Sequence, residues 1–369
     1  MPRFIDPNSP SVKVKSNTLS DPTIEVVGII FTGAPGAINY HPLYDRQPKP
    51  GYPSGLNIDP PQWLKSPSKN EPIAYTRNTV MTVKADISGT YDTPIWVRIT
   101  PSGVLTSDNT SINFSPSSRI IQVTDWGVED YDNLIFSSSA LPNEIRLDSL
   151  SISWSLQYGY SSDGPWYDVG SQVTEHQIYV TYDRPYYLFS PFYRPWKQVL
   201  HAACHYANGA TTTSQASCMV VSGIYNSLQF SYRSWDSHSE FDNSKFELWK
   251  MLSAGWMDCM DGSNYYTVMM RWLGIPANQV KIDENLQGFY YKELRPISTS
   301  PDLDAGWQTG YWNFHQVGIL TNIYDPIIMV DRTGTPRVPA NMDMPTYKGY
   351  VFASGTFEWG TSALVSSVY

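Results

Sequence analysis

Two short segments of the chain carry the residue types that nucleophilic catalysis needs. The first is Gly255-Trp256-Met257-Asp258-Cys259-Met260-Asp261-Gly262-Ser263. Tyr266, Met269, Met270 and Leu273 follow it at helical spacing, and Asp258 with Asp261 forms a capping-box-like start. Gly274 and Pro276 supply the stop. This spacing sets Cys259 on the first residue of a helix, where unpaired N–H groups and the helix dipole favour a thiolate. Its own backbone N–H could also face a developing oxyanion. Asp258 and Asp261 act in the opposite direction, because adjacent anions disfavour ionisation of a thiol. A histidine partner has to outweigh them. The competing reading is a buried structural thiol, the usual fate of a free cysteine.

The second segment supplies that histidine. Tyr311–Leu320 and Ile327–Asp331 are rich in β-formers, and Asn322-Ile323-Tyr324-Asp325-Pro326 between them is rich in turn residues. A hairpin centred near Ile323 sets His315 directly opposite Asp331, with both side chains on one face. A carboxylate there can orient an imidazole and stabilise its charged form. On this register Asp325 lies in the turn, too near the tip to face His315. The competing reading is a structural His–Asp pair on a half-buried sheet.

Other titratable groups carry less. Cys204 and Cys218 fall inside predicted helices among apolar residues, which favours core packing. His201, Cys204 and His205 share a helix face and could bind a metal, but no fourth ligand follows at a suitable spacing, so no metal is expected. His41, His176 and His238 lie in loops or on alternating strands without a motif, and are expected to be surface or packing residues.

The elements that would position these groups change character along the chain. Residues 1–75 contain one strand candidate, Ile24–Phe31, and then a turn-rich stretch in which Pro35, Pro42, Pro48, Pro50, Pro53, Pro60, Pro61 and Pro67 exclude helix. That stretch reads as an ordered loop or as a partner-binding arm. From Thr76 the period is two: Met81, Val83, Ala85 and Ile87, then Leu150, Ile152, Trp154, Leu156 and Tyr158, alternate with polar residues. With further strands at Ile95–Thr100, Arg119–Thr124 and Gln177–Tyr182, this predicts an all-β sandwich over 76–183. Asp183-Arg184-Pro185 reads as the linker. Beyond it Trp196, Val199, Leu200, Ala203 and Ala207 recur at helical spacing, and further helices are expected over Ser214–Asn226 and Phe246–Leu252.

Composition bounds the functions open to such a chain. Charged residues are 16% of its 369 positions and aromatics 14%, so a sizeable core can form and wholesale disorder is excluded. A net charge of -9 gives a phosphate backbone little to hold, so no nucleic-acid partner is expected. No apolar run approaches the roughly 20 residues of a membrane span. Three cysteines cannot build a disulfide framework. Few lysines and many aromatics and prolines suit an extracellular protein, although Met1-Pro2-Arg3-Phe4-Ile5-Asp6 lacks the apolar stretch of a secretory signal.

Together these segments resemble the transglutaminase-like (transglutaminase core) superfamily of papain-related thiol enzymes. The family order is a helix-initiating Cys, a helix ending in Leu-Gly-Ile-Pro-Ala, a His and then an Asp. Here it reads Cys259, then Met270-Arg271-Trp272-Leu273-Gly274-Ile275-Pro276-Ala277, then Phe314-His315-Gln316-Val317, then Met329-Val330-Asp331-Arg332-Thr333. Ile224 to Tyr232 looks like the helix-to-tyrosine segment that precedes the family's cysteine. The likeness covers about residues 190–345. The chain departs from the family pattern at Asp258, Met260, Asn278 and Gln316.

The resemblance implies a multidomain chain. After the N-terminal strand and Pro-rich segment (1–75) and the sandwich (76–183) comes an α+β papain-like or transglutaminase-like domain (184–369). It implies Cys259 as nucleophile, His315 as base and then acid, and Asp331 as orienting group. The implied substrate is a protein or peptide amide, attacked through a thioester without a cofactor, with transamidation, deamidation and proteolysis as possible outcomes. The alternative is a non-catalytic interaction or scaffold protein that binds a partner through the sandwich and the Pro-rich arm.

Overall fold

A computed structural model describes residues 21–33, 40–46, 55–91, 93–124, 134–186, 194–227, 229–234, 236–297, 306–332, 337–365 and 367–368. The described chain is mostly β-sheet with five helices. The residues read for a secretory signal and most of those prolines that precede Gly55 lie outside the described residues.

The first half builds two six-stranded sheets. One runs in the order Phe114–Ser115, Ile135–Ser138, Thr82–Thr90, Thr23–Thr32, Gln62–Leu64, Lys69–Asn70. The other is centred on the long hairpin of Arg146–Gly159 and Tyr167–Thr181, flanked by Ile95–Leu105 and, in parallel, by Ile73–Thr76. The alternation read in the sequence is the cause. Leu150, Ile152, Trp154, Leu156 and Tyr158 are buried while the serines between them are not, and Met81, Val83, Ala85 and Ile87 are buried in the facing sheet. These side chains share one hydrophobic cluster.

The division at residue 75 does not hold. Thr23–Thr32 pairs along its length with Thr82–Thr90, and Ile73–Thr76 joins the other sheet. Both sheets therefore need strands from before residue 76. The proline-rich stretch hid this because its strands are two to four residues long, below the length at which periodicity is visible.

Helices fill the second half: α1 (Lys197–Tyr206), α2 (Thr213–Tyr225), α3 (Leu248–Ala254), α4 (Cys259–Trp272) and α5 (Met344–Val351). Trp196, Val199, Leu200, Ala203 and Ala207 are all buried, as their spacing predicts, and α1 and α2 pack with α4 in a second hydrophobic cluster. A five-stranded sheet lies against α4 in the order Ala340–Met342, Ile323–Tyr324, His315–Ile319, Asn278–Ile282, Trp359–Ala363. A smaller sheet pairs Phe289–Pro296 with Gln308–Trp312, Ile328–Val330 and Phe352–Gly355. The helix cluster also takes in Ile145 and Tyr179 from the first half, so the two halves share buried apolar surface.

Candidate functional site

Helix α4 begins at Cys259, as the capping pattern predicts. Asp258 has extended backbone and its carboxylate accepts the Asp261 backbone N–H at 2.8 Å. The preceding turn is fixed from two sides. Gly255 ends α3 in the left-handed region, and Trp256–Met257 pairs in parallel with Ser231–Tyr232. This pairing brings Tyr232 to the cysteine. The first helical N–H groups have no intrahelical acceptor, and the Cys259 backbone N–H is one of them.

His315 opens the strand His315–Ile319, buried together with its carboxylate partner. That partner is Asp325 and not Asp331. His315 Nε2 lies 2.8 Å from Asp325 Oδ2, and both side chains are fully excluded from solvent. The hairpin turns earlier than expected: Gly318 faces Tyr324, Ile319 faces Ile323, and the Leu320 N–H bonds the Asn322 carbonyl. Its centre is therefore at Thr321. On that register Asp325 falls diagonally across from His315, on the same face. Asp331 belongs elsewhere, following Ile328–Val330 in the smaller sheet and adopting a left-handed backbone with φ 68°.

Asp325 is held on every side. Its Oδ2 also accepts the Tyr347 hydroxyl at 2.6 Å, its Oδ1 accepts the Ile327 backbone N–H at 3.0 Å, and its own N–H donates to the Pro339 carbonyl at 2.8 Å. Because a carboxylate only accepts, Nε2 of His315 carries a proton and Nδ1 is left with the lone pair in the neutral ring. Nδ1 is buried without a hydrogen-bond partner among the described residues. The Trp312 indole stacks on the imidazole, with centroids 4.2 Å apart and planes 8° from parallel.

Burial pushes the Cys259 thiol well above its usual range, and the charge of Asp258 adds to this. The Gln316 N–H acts the other way, while Asp325 and Asp261 push up further. Asp258 is itself raised to about 7, first by burial and then by the charge of Asp261. The anionic opposition anticipated from the sequence is therefore present.

Cys259 and Asp258 line a cleft of about 670 Å³. Its walls mix the aromatic rings of Tyr232, Tyr291, Tyr311, Trp312 and Phe314 with polar side chains, among them Arg233, Asp236 and Gln308. Tyr232 is raised well above its usual range, chiefly by burial and next by the charge of Cys259.

Several site residues left no usable signal in the sequence. Tyr347 arrives from α5, far along the chain, and Trp312 belongs to a strand of the smaller sheet with no motif of its own. Asp325 was considered and set aside because Asp-Pro reads as turn chemistry. His238, expected to be a surface or packing residue, bonds Asp261 of α4. Of the remaining thiols Cys204 is buried in the core and Cys218 is half-buried. Among the described residues no group of three or more His, Cys, Asp or Glu side chains could hold a metal ion. No helix among them is long and apolar enough to cross a membrane.

No protein-family model matches the chain, and no curated protein matches it by sequence. Among solved structures it is similar to a transglutaminase of red sea bream, with 10% identity and a TM-score of 0.34, over 69% of this chain and 49% of that one. The chain thus spans about half the length of that transglutaminase. It is also similar to PapD-like domain 7 of human CEP192, with 10% identity and a TM-score of 0.18 over 30% of this chain and 80% of that one. A third similar structure is a family 123 glycoside hydrolase from Clostridium perfringens, with 11% identity and a TM-score of 0.15 over 29% and 22% of the two chains.

Proposed function

We propose that this protein is a cysteine-dependent enzyme acting on amide bonds of protein or peptide substrates, with Cys259 as nucleophile, His315 as base and acid, and Asp325 as orienting group. The observation that carries this is the buried His315–Asp325 pair, whose unpartnered Nδ1 belongs to a strand lying against a helix-initiating cysteine at an aromatic cleft. His315 Nδ1 takes the thiol proton as the sulfur attacks the carbonyl carbon. The carbonyl oxygen gains negative charge, which the Cys259 backbone N–H stabilises. The C–N bond then breaks, the imidazolium gives its proton to the departing amine, and a thioester remains. Water as the second nucleophile gives deamidation or proteolysis, and an amine gives transamidation. Asp325 keeps the imidazole in one tautomer and stabilises its charged form throughout.

In this reading the first half, from Thr23 to about residue 183, is a β-sandwich that docks the substrate protein, and the catalytic unit follows it. The competing reading is a scaffold without turnover, favoured by the burial and raised proton affinity of Cys259. Brief labelling with iodoacetamide at neutral pH, followed by peptide mapping, separates the two. The enzyme predicts that Cys259 is labelled well ahead of Cys218, although Cys218 is the more exposed. Labelling of Cys218 first, with Cys259 spared, would contradict it.

A further inference from the structure

The segment Ser237-His238-Ser239 encloses the carboxylate of Asp261, two residues beyond the cysteine in the first turn of α4. Asp261 is fully buried. Its oxygens accept the His238 backbone N–H at 3.0 Å, the His238 Nδ1–H at 2.9 Å and the Ser239 hydroxyl at 2.7 Å. The imidazole of His238 also lies on the Trp256 indole, with centroids 4.0 Å apart, in the short strand that leads into Cys259.

The contacts continue inward. Ser239 Oγ accepts Asn264 Nδ2 at 2.9 Å, and Asn264 Oδ1 accepts Gln316 Nε2 at 3.1 Å. Gln316 Nε2 lies also 2.7 Å from Ser263 Oγ. Gln316 follows His315 in the strand that lies against α4, and its backbone N–H lowers the proton affinity of the Cys259 thiol. Gln316 therefore joins the strand that carries the imidazole directly to α4 through Ser263 and Asn264, and Ser239 braces Asn264 against Asp261 on that same helix. Three carboxylates, Asp258, Asp261 and Asp325, bear on the sulfur, and His238 is hydrogen-bonded to Asp261.

We propose that His238 is a positioning residue of the thiol site: it holds Asp261 and, through Ser239 and Asn264, fixes Gln316 and with it the spacing between Cys259 and His315. This rests on the enzyme reading given above. It explains why Gln316 stands where the resembled family has a small residue, since a small side chain could not reach α4.

Iodoacetamide labelling of Cys259 in the full-length protein tests it, with Cys218 as internal reference and melting temperature recorded in parallel. His238→Ala is expected to slow Cys259 labelling by about tenfold, the order seen when groups supporting a reactive centre are removed. His238→Asn, whose amide can still donate to Asp261, is expected to restore most of the rate. A merely structural role would lower the melting temperature without that rescue pattern. Ser239→Ala cuts the chain one bond further on, keeps the His238–Asp261 contact, and should slow labelling in the same direction even if His238→Ala does not fold. Wild-type labelling in the histidine and serine variants, alongside rapid labelling of the parent, would overturn the positioning role and leave the enzyme reading intact. Slow labelling of Cys259 in the parent itself would instead remove the enzyme reading.

Discussion

Asp325 and Asp331 divide the residue-scale account. Asp325→Asn presents His315 and Tyr347 with an amide in place of an acceptor-only carboxylate, so the imidazole can take the wrong tautomer and its cation loses support. Turnover is expected to fall by about two orders of magnitude or more. Asp331→Asn, on the other sheet, should stay near the parental rate. Single-turnover rates of the two variants decide between the carboxylates. The sequence singled out the cysteine and the histidine by their spacing, but it set Asp331 opposite His315, where the structure pairs Asp325. Turn chemistry at Asp325-Pro326 is real, yet Thr321 and Asn322 make the earlier turn, and a shift of two residues moves the facing carboxylate.

A second residue-scale expectation concerns Asp258. Burial raises its folded value to about 7, against about 4 in an unfolded chain, so the folded state holds the proton more tightly. Its contribution to stability is therefore present below pH 4 and is lost as the pH rises to about 7. Asp258→Asn keeps a good N-cap and removes the charge. Urea midpoints should decline between pH 4 and 7 in the parent more than in the variant. Above pH 7, where Asp258 is ionised in the parent, alkylation of Cys259 should need less alkaline conditions in the variant. Equal midpoints and equal alkylation profiles would show that this carboxyl does not act on the thiol.

At the scale of elements, the site depends on α4 lying close against the strand His315–Ile319. Gly318 permits this approach: a Cβ there would stand 2.3 Å from the Tyr266 ring, which stacks on Tyr324. Gly318→Ala must push helix and strand apart, with a stability loss of about 1–3 kcal/mol. Because the Cys259–His315 spacing widens with it, alkylation of Cys259 should slow as well, whereas an overpacked site elsewhere in the core would lower only the urea midpoint. Helix α4 was legible because cap, stop and apolar spacing agree over Cys259–Trp272, and α1 through its apolar spacing alone, since Lys197–Tyr206 has no side-chain cap; α5 gave no such pattern. The strands around the site were not legible. Ile323–Tyr324 and Ile328–Val330 are two and three residues long and belong to different sheets, so no periodicity separates them.

Over the whole molecule, the two halves meet where Gly274 ends α4. Its φ is +79°, and a Cβ there would lie 2.3 Å from the backbone of Asp183. The Asp183 N–H also bonds the Leu273 carbonyl, so the segment read as a linker is pinned to the end of α4. Gly274→Ala combines an unfavourable backbone with a contact to main chain, and is expected to destabilise by about 3 kcal/mol or more in chemical denaturation. The β-rich first half was legible through its long alternating strands, and the contribution of residues before 76 was not, because pairing partners far apart in sequence leave no local trace. In the proposed reaction Cys259 forms a thioester with support from His315 and Asp325. Its most direct test is the reaction with p-nitrophenyl acetate, followed by the burst of p-nitrophenol and by mapping of the acetyl group. The account predicts a stoichiometric burst with a hydroxylamine-labile acetyl adduct on Cys259, lost in Cys259→Ala and strongly slowed in Asp325→Asn. A missing burst, or an adduct carried by Cys204 or Cys218 with Cys259 unmodified, would contradict it.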